Sequence, residues 1–396
     1  MSMRKIYIHI GCGKTGSSAI QFWLHNNASD LMKLGIYYPL FSMQKLNPAG
    51  ITSGNGVHVM RAYAKGNLEE LLGKVTRESD GDILVSSEAF QTLNENDLVR
   101  FKKILSDFRL EPIVIAYVRD VYDMVYSGYL QLVKRHLYAR SFKEFVLACR
   151  EIQQFNVVRM WSEAFDNIKV FHYDSEKSCL SNSFCDALNL DRKSIPAMPK
   201  TKFNRSLTLE EAELLRLINQ TYSNEFENPD QSLSRIVSDA LIQENPEAQT
   251  PILVDQDALN HVGTTFMDDI KWLNGKFFMG KDVVSIFNPE GKTISTEVPC
   301  LSKSIQTAIR TLIMSVDKFE FGVEEHAQRK AGKQEKLKVA DPRIADALRD
   351  EAVKRERISL IDAFSLMSAA KTLRPSGAFI VGKVGEYKRK LETRKS

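Results

Sequence analysis

The chain has 396 residues, 43% of them hydrophobic and 26% charged, with a formal net charge of +4. That length supports a full core in one large domain with an extension, or in two domains. The composition excludes a disordered or fibrous chain, and so mild a charge gives no reason to expect a nucleic-acid partner. Cys12, Cys149, Cys179, Cys185 and Cys300 are scattered, odd in number and without a Cys-x-x-Cys pair. They argue against a disulfide framework or a zinc site and for a reducing compartment. The first apolar run is too short for a signal peptide or membrane anchor, and no later stretch reaches spanning length. A cytoplasmic location is expected.

Residues 4–10 read as a buried strand rich in Ile and Tyr. Gly11 to Gly16 form a loop, and 17–35 reads as one helix, with Ser17 or Ser18 near its start and Gly35 as its stop. Further strands are expected at 82–90, 112–120 and 168–174. Strands alternating with helices predict an α/β fold, a parallel sheet covered on both faces. From about residue 205 the pattern turns helical, with helices expected over 206–226 and 264–278; the first carries acids in its opening turn.

Beyond Cys300 strand signals nearly vanish. Residues 322–338 are charged and poorly apolar, and read as an exposed helix or linker. Residues 357–373 regain apolar spacing that suits docking on the main body or on a second copy, so a homodimer through the carboxyl-terminal helices is one expectation. The basic tail, 384–396, reads as a solvated end. This gives an α/β domain over 1–290 and a helical, charged extension over 291–396.

The loop "GCGKTGSS", residues 11–18, carries the chemistry. A strand, then glycines, then a helix directs backbone N–H groups and the positive end of the helix dipole at one point, a site for an anion. Gly11, Gly13 and Gly16 let the backbone curl, Lys14 adds a point charge, and Ser17 and Ser18 offer hydroxyl donors. The nucleoside-triphosphatase pattern G-x-x-x-x-G-K-[ST] has its lysine directly after the last glycine. Here Ser17 takes that place and the lysine sits inside the loop, and no magnesium-binding aspartate ends a later apolar strand.

A second element, "YVRDVYDMVYSGYLQ" (117–131), follows the same logic. Arg119 ends an apolar strand and Ser127 lies about two helical turns further on, placed to flank one anion. The plainer alternative pairs Arg119 with Asp120 or Asp123. Glu88 falls just past the carboxyl end of a strand, the edge where ligands sit in open α/β sheets, and is the first choice for a base. Ser86 and Ser87 are expected to hydrogen-bond the acceptor or cofactor. His58 is the reserve base, His9 reads as a core residue and His136 as a polar helix residue. Cys12, beside a helix amino end, has a setting that lowers a thiol pKa.

Together "KTGSS" and "YVRDVYDMVYSGYLQ" resemble the paired nucleotide motifs of sulfotransferases that use 3′-phosphoadenylyl sulfate (PAPS). Residues 8–39 resemble the start of bacterial members, and 167–190 and 202–219 resemble later segments. The resemblance covers about 4–280 and is densest in the first 135 residues. It implies a P-loop-type parallel sheet flanked by helices. It also implies that Gly13, Lys14, Thr15, Gly16, Ser17 and Ser18 hold the 5′-phosphosulfate end and that Arg119 and Ser127 hold the 3′-phosphate. Asn204 and Arg205 would lie in a loop that closes over the nucleotide. Lys14 would stabilise the charge that develops on the bridging oxygen, with no metal expected, and Glu88 would be the base. The implied activity is sulfuryl transfer from PAPS to a hydroxyl or amine of a saccharide or other metabolite, releasing adenosine 3′,5′-bisphosphate (PAP). A P-loop kinase using Mg-ATP and a catalytically silent nucleotide-binding protein are the alternatives.

Overall fold

The computed structural model describes residues 3–41, 53–198, 205–226, 229–313 and most of 349–393. Asn204 and residues 322–338 lie outside them. The chain divides into two compact units, Met1–Asp317 and Lys318–Ser396.

In the first unit the elements run β1 (Arg4–His9), α1 (Ser17–Asn26), α2 (Ala28–Lys33), β2 (Ile36–Tyr37), α3 (Gly56–Lys65), α4 (Leu68–Glu78) and β3 (Asp82–Ser86). After a 3-10 turn at Glu88–Thr92 come α5 (Glu95–Asp107), β4 (Leu110–Val118), α6 (Val121–Arg135), α7 (Phe142–Ala148), α8 (Gln153–Ala164) and β5 (Ile168–His172). Then follow α9 (Tyr173–Glu176), α10 (Leu180–Ala187), α11 (Leu209–Glu225), α12 (Ser232–Glu244), β6 (Ile252–Leu253), α13 (Gln256–Phe277) and β7 (Ile294–Ser295).

The main sheet has five strands in the order β2-β3-β1-β4-β5, and every pairing is parallel. The expected α/β sheet is therefore present. Alternation along the strands sorts the core into two layers. Ile6, Ile8, Val114, Ala116 and Val118 face one apolar cluster, which takes residues of α3 to α6, α8, α11 and α13. Tyr7, Ile113, Ile115 and Tyr117 face the other, which takes Ile20, Trp23 and Leu24 of α1 and Phe184 of α10. Because both faces are covered, the strands read as continuous apolar runs.

Parallel strands end on a common edge. The residues that follow β3, β1, β4 and β5 therefore line up as neighbours in that order, and the connection leaving β1 runs toward β2 while that leaving its neighbour β4 runs the opposite way toward β5. That is where open α/β sheets leave a crevice at the carboxyl edge.

Local chemistry explains where the structure departs from the expected boundaries. The single helix over 17–35 is two helices that meet at Asn27, whose side-chain amide and backbone N–H both donate to the Trp23 carbonyl (2.8 and 3.1 Å). The strand expected over 82–90 stops at Ser86, because the Ser87 hydroxyl accepts the Ala89 N–H (3.1 Å) and caps the 3-10 turn. The strand over 168–174 ends at His172, and Tyr173 opens α9. Segment 206–226 forms α11 behind a Thr208–Glu211 capping box.

The first unit also runs past residue 290. β7 pairs with β6, and Lys292 forms an ion pair with Asp123 (2.8 Å), so residues 291–300 belong to this unit rather than to an extension.

In the second unit, α14 (Leu360–Leu373) and α15 (Ala378–Thr393) share a small core that includes Ala363, Met367, Ile380 and Tyr387. The basic tail is therefore not a solvated end as far as Thr393. Tyr387 is fully buried, and Lys383 and Lys390 each reach Glu356 at 2.9 Å. No helix among the described residues is long and apolar enough to cross a membrane.

Candidate active site

Four successive neighbours on the carboxyl edge of the sheet build the site: Glu88 after β3, loop 11–16 after β1, Arg119 after β4 and Asp174 after β5. The loop is wound by left-handed backbone at Gly11 (φ 48°), Lys14 (φ 65°) and Gly16 (φ 76°). Alternation of this kind turns successive N–H groups toward one concavity, a nest for an anion. Among the described residues, no protein acceptor takes the N–H groups of residues 11 to 18. A Cβ at Gly16 would lie 2.8 Å from both Leu180 Cδ1 and Tyr173 Cε2, so the loop is seated against α9 and α10.

Individual side chains divide the work. Thr15 is fully buried and its hydroxyl donates to the Cys12 carbonyl, which Ser17 also reaches at 3.4 Å. The Thr15 side chain thus shapes the loop and leaves only its backbone N–H for a ligand. Ser18 is exposed at the mouth, and nothing lies within 4 Å of the Cβ position at Gly13. Lys14 Nζ reaches Gln131 Oε1 on α6 at 3.3 Å.

Glu88 meets the loop from the β3 side. A Cβ at Gly11 would lie 3.1 Å from Ser17 Oγ and 3.2 Å from Glu88 Cγ, so glycine is what allows the two segments to meet. Ser17 and Lys14 both lie close enough to the Glu88 carboxylate to favour its charged form. Protein packed around that carboxylate raises its pKa above the ordinary glutamate value, against the pull of Ser17 and Lys14. Burial also lowers the pKa of Lys14, with Glu88 opposing the shift and Arg119 and Arg135 adding to it.

Arg119 departs from the expected role. Its Nε and Nη2 fork Asp174 (3.2 and 3.1 Å), Nη2 also reaches Asp123 (3.5 Å), and Nη1 donates to the Lys14 carbonyl (3.2 Å). The fork expected to face a phosphate is spent on Asp174, so Arg119 fastens β4 to the loop and to β5. Gln154 holds it from behind, bonding the Arg119 N–H and carbonyl at 3.0 Å each. Ser127 is half-buried on the α6 face that also carries Asp123 and Gln131, one turn to either side. It therefore stands between a residue that touches Arg119 and one that touches Lys14, and the two expected motifs do meet.

Asp120 accepts from Ser285 N–H (2.8 Å) and Oγ–H (2.9 Å) and lies 3.4 Å from His172 Nε2, while Lys292 bridges toward Asp120 and Asp123. Burial works against charge on Asp120, yet the nearby His172 ring and the two Ser285 hydrogen bonds hold its pKa below the usual range. Asp174 is lowered likewise, Arg119 outweighing burial. On Asp123 burial wins and the pKa rises despite Lys292 and Arg119. Asp120, His172 and Asp174 bring their ligand atoms within 4.8 Å of one another. Arg119 and Lys292 already supply cations to these carboxylates, so the geometry reads as an ion-pair network rather than a metal centre.

Several sequence expectations are corrected here. Arg205 is tied to Glu211 through two 2.7 Å bonds and to the Leu241 and Asn245 carbonyls, so it braces α11 and α12. Ser86 Oγ bonds His9 Nδ1 (2.7 Å), and the Ser87 hydroxyl donates to the Ser53 carbonyl (2.8 Å), so both are spent inside the fold. Cys12 is buried, and its thiol is pushed up to about 12 by desolvation and by Glu88, the reverse of activation. His9 is a core residue as expected, its pKa lowered to about 3 by burial.

Sequence reasoning missed Asp174, Gln154, Lys292 and Lys134. Asp174 carried a usable signal, an acid just past a parallel strand, as for Glu88. The other three reach the site through distant segments or a helix end and carried none. Lys134 is buried, its pKa lowered to about 8 first by desolvation and then by Lys14 and Arg135.

No family model matches this chain, and no curated protein matches it.

Proposed function

We propose that this chain is a sulfotransferase that moves a sulfuryl group from PAPS to an acceptor hydroxyl. The observation that carries the reading is the meeting of Lys14 and the loop N–H groups with a carboxylate of raised pKa, Glu88, on the carboxyl edge of a parallel sheet. The loop belongs to a P-loop-type fold, but with its lysine inside the turn.

The residues present fit such a donor. The unaccepted N–H groups of 11–18, Lys14 and Ser18 would hold the phosphosulfate end, and Ser127 with the remaining Nη1 hydrogen of Arg119 is what the chain offers a 3′-phosphate. When bound, PAPS supplies an activated sulfuryl group with a phosphate as its leaving partner. Glu88 accepts the acceptor's hydroxyl proton as that oxygen forms its bond to sulfur, and its pKa lies above the ordinary glutamate value, the direction that strengthens a base. The sulfur–oxygen bond to the phosphate breaks with its electron pair left on the bridging oxygen. Lys14 and the loop N–H groups stabilise the charge there.

Calorimetry with PAP, adenosine 5′-monophosphate and ATP, with and without magnesium, tests the reading. PAP is expected to bind without magnesium and at least tenfold tighter than the monophosphate, with the preference reduced in Ser127→Ala. A preference for ATP with a magnesium requirement would replace the reading with a kinase. PAP binding with no transfer to any hydroxylated acceptor would leave a silent nucleotide-binding protein.

A further inference from the structure

A groove of about 560 Å³ opens between α3 and α4, lined by Arg61 and Lys65 of α3, Lys74 and Arg77 of α4, and Phe41 and His58 at one end. Arg61 and Lys65 are four apart and Lys74 and Arg77 three apart, so each pair shares one helical face. All four are exposed. Lys74 lies 3.8 Å from Glu78 in an exposed pair worth little, and Glu78 is already held by the Tyr37 hydroxyl at 2.6 Å. Among the described residues, Arg61, Lys65 and Arg77 take part in no ion pair. Glu70 is the one carboxylate on the lining, so four cations face a single anion.

The end wall differs. Phe41 and His58 pack with ring centroids 5.4 Å apart, and burial and Arg61 both lower the His58 pKa, which favours a neutral ring. This sets His58, the reserve candidate for a base, in the groove wall. An aromatic wall beside a ring of cations suits a sugar that carries negative charge.

The groove is also built onto the segment that carries Glu88. A Cβ at Gly56, the first residue of α3, would lie 2.5 Å from Phe90 Cε2 and 2.9 Å from Ser87 Cβ. Ser86 N–H donates to Asn55 Oδ1 at 2.8 Å just before α3 begins. The helix bearing Arg61 and Lys65 thus starts against the turn that presents the base.

We infer that this groove binds the acceptor, and that the acceptor is an acidic oligosaccharide whose carboxylate or sulfate groups pair with Arg61, Lys65, Lys74 and Arg77. The inference rests on the sulfotransferase reading for the transfer step, but the groove's preference for acidic sugars is measurable without it. A cavity of this size takes a few sugar rings rather than a long duplex, and clustered like charge concentrates an anionic partner in a salt-dependent way.

The test is calorimetry with a glucuronate-containing tetrasaccharide, a sulfated tetrasaccharide, neutral cellotetraose, a single-stranded oligonucleotide and inorganic sulfate, each with and without PAP. At least one acidic tetrasaccharide is expected to bind tenfold or more tighter than cellotetraose, weakening as salt rises. The double variant Arg61→Ala/Lys74→Ala is expected to lose that preference tenfold or more while its PAP affinity is unchanged. Lys271→Ala, an exposed cation outside the groove lining, is expected to change neither.

Binding of neither acidic tetrasaccharide, equal binding of cellotetraose, binding of inorganic sulfate alone, tighter binding of the oligonucleotide, or an unaffected double variant would each overturn the inference. Acidic-sugar binding without PAP binding would uphold the groove and refute the donor. PAP binding without acidic-sugar binding would do the reverse.

Discussion

Gly16→Ala isolates the seating of the loop. Its backbone sits at φ 76°, where a Cβ costs ~1–2 kcal/mol. The added methyl would also lie 2.8 Å from Leu180 Cδ1 and Tyr173 Cε2, and overpacking of that kind costs ~1–3 kcal/mol. Against this stands a gain of about 0.4–1 kcal/mol from a less flexible unfolded chain. The balance is a loss of about 1–4.5 kcal/mol. Gly13→Ala is the internal control: its φ is not in the left-handed region and nothing lies within 4 Å of its Cβ position. Its stability is expected to stay within about 1 kcal/mol of the parent. Urea unfolding, followed by fluorescence of the buried Trp23 and Trp161, measures both. If the two variants lose the same stability, or Gly16→Ala loses none, the account of loop seating is wrong. Gly13→Ala instead places a methyl on the open side of the loop, and calorimetry is expected to show weaker PAP binding in a stable protein.

Glu88→Gln is expected to lower kcat by about 10²–10⁴ with PAP affinity unchanged. Because burial raises the Glu88 pKa above its ordinary 4.5 and a base must be deprotonated, kcat/KM of the parent should rise with pH through a value above 4.5, and the variant should lack that limb. A variant with parental rate and pH profile would remove Glu88 from the chemistry. Asp174→Asn leaves the nearly buried Arg119 with Asp123 as its remaining carboxylate and is expected to cost about 3 kcal/mol in urea unfolding. The Asp174 pKa is depressed in the folded state, so its stabilisation is complete above its ordinary 3.8 and lost as pH falls through the depressed value. Acid titration of stability should therefore show a step in the parent that shrinks in Asp174→Asn; equal steps would refute the pairing.

Local signals in the sequence determined much of the frame. The apolar runs at β1, β3 and β4 identified buried parallel strands, because a strand covered on both faces leaves no polar alternation. The glycines around Lys14 marked a tight loop between β1 and α1, and Glu88 was legible as a residue just past the end of β3. Tertiary structure decided how that edge is wired. Arg119 and Ser127 were legible as a pair, but Asp174, fifty-five residues beyond Arg119, takes the guanidinium fork because β5 lies beside β4. Ser86, Ser87 and Arg205 looked available as ligands until their partners, His9, Ser53 and Glu211, came into contact with them. The cationic groove was invisible in a net charge of +4, since Arg61, Lys65, Lys74 and Arg77 gather only when α3 and α4 pack together. Residue type and spacing state what a side chain is able to bind. Which partner it meets depends on long-range contacts, and these are fixed only when the sheet order brings distant segments within hydrogen-bonding distance.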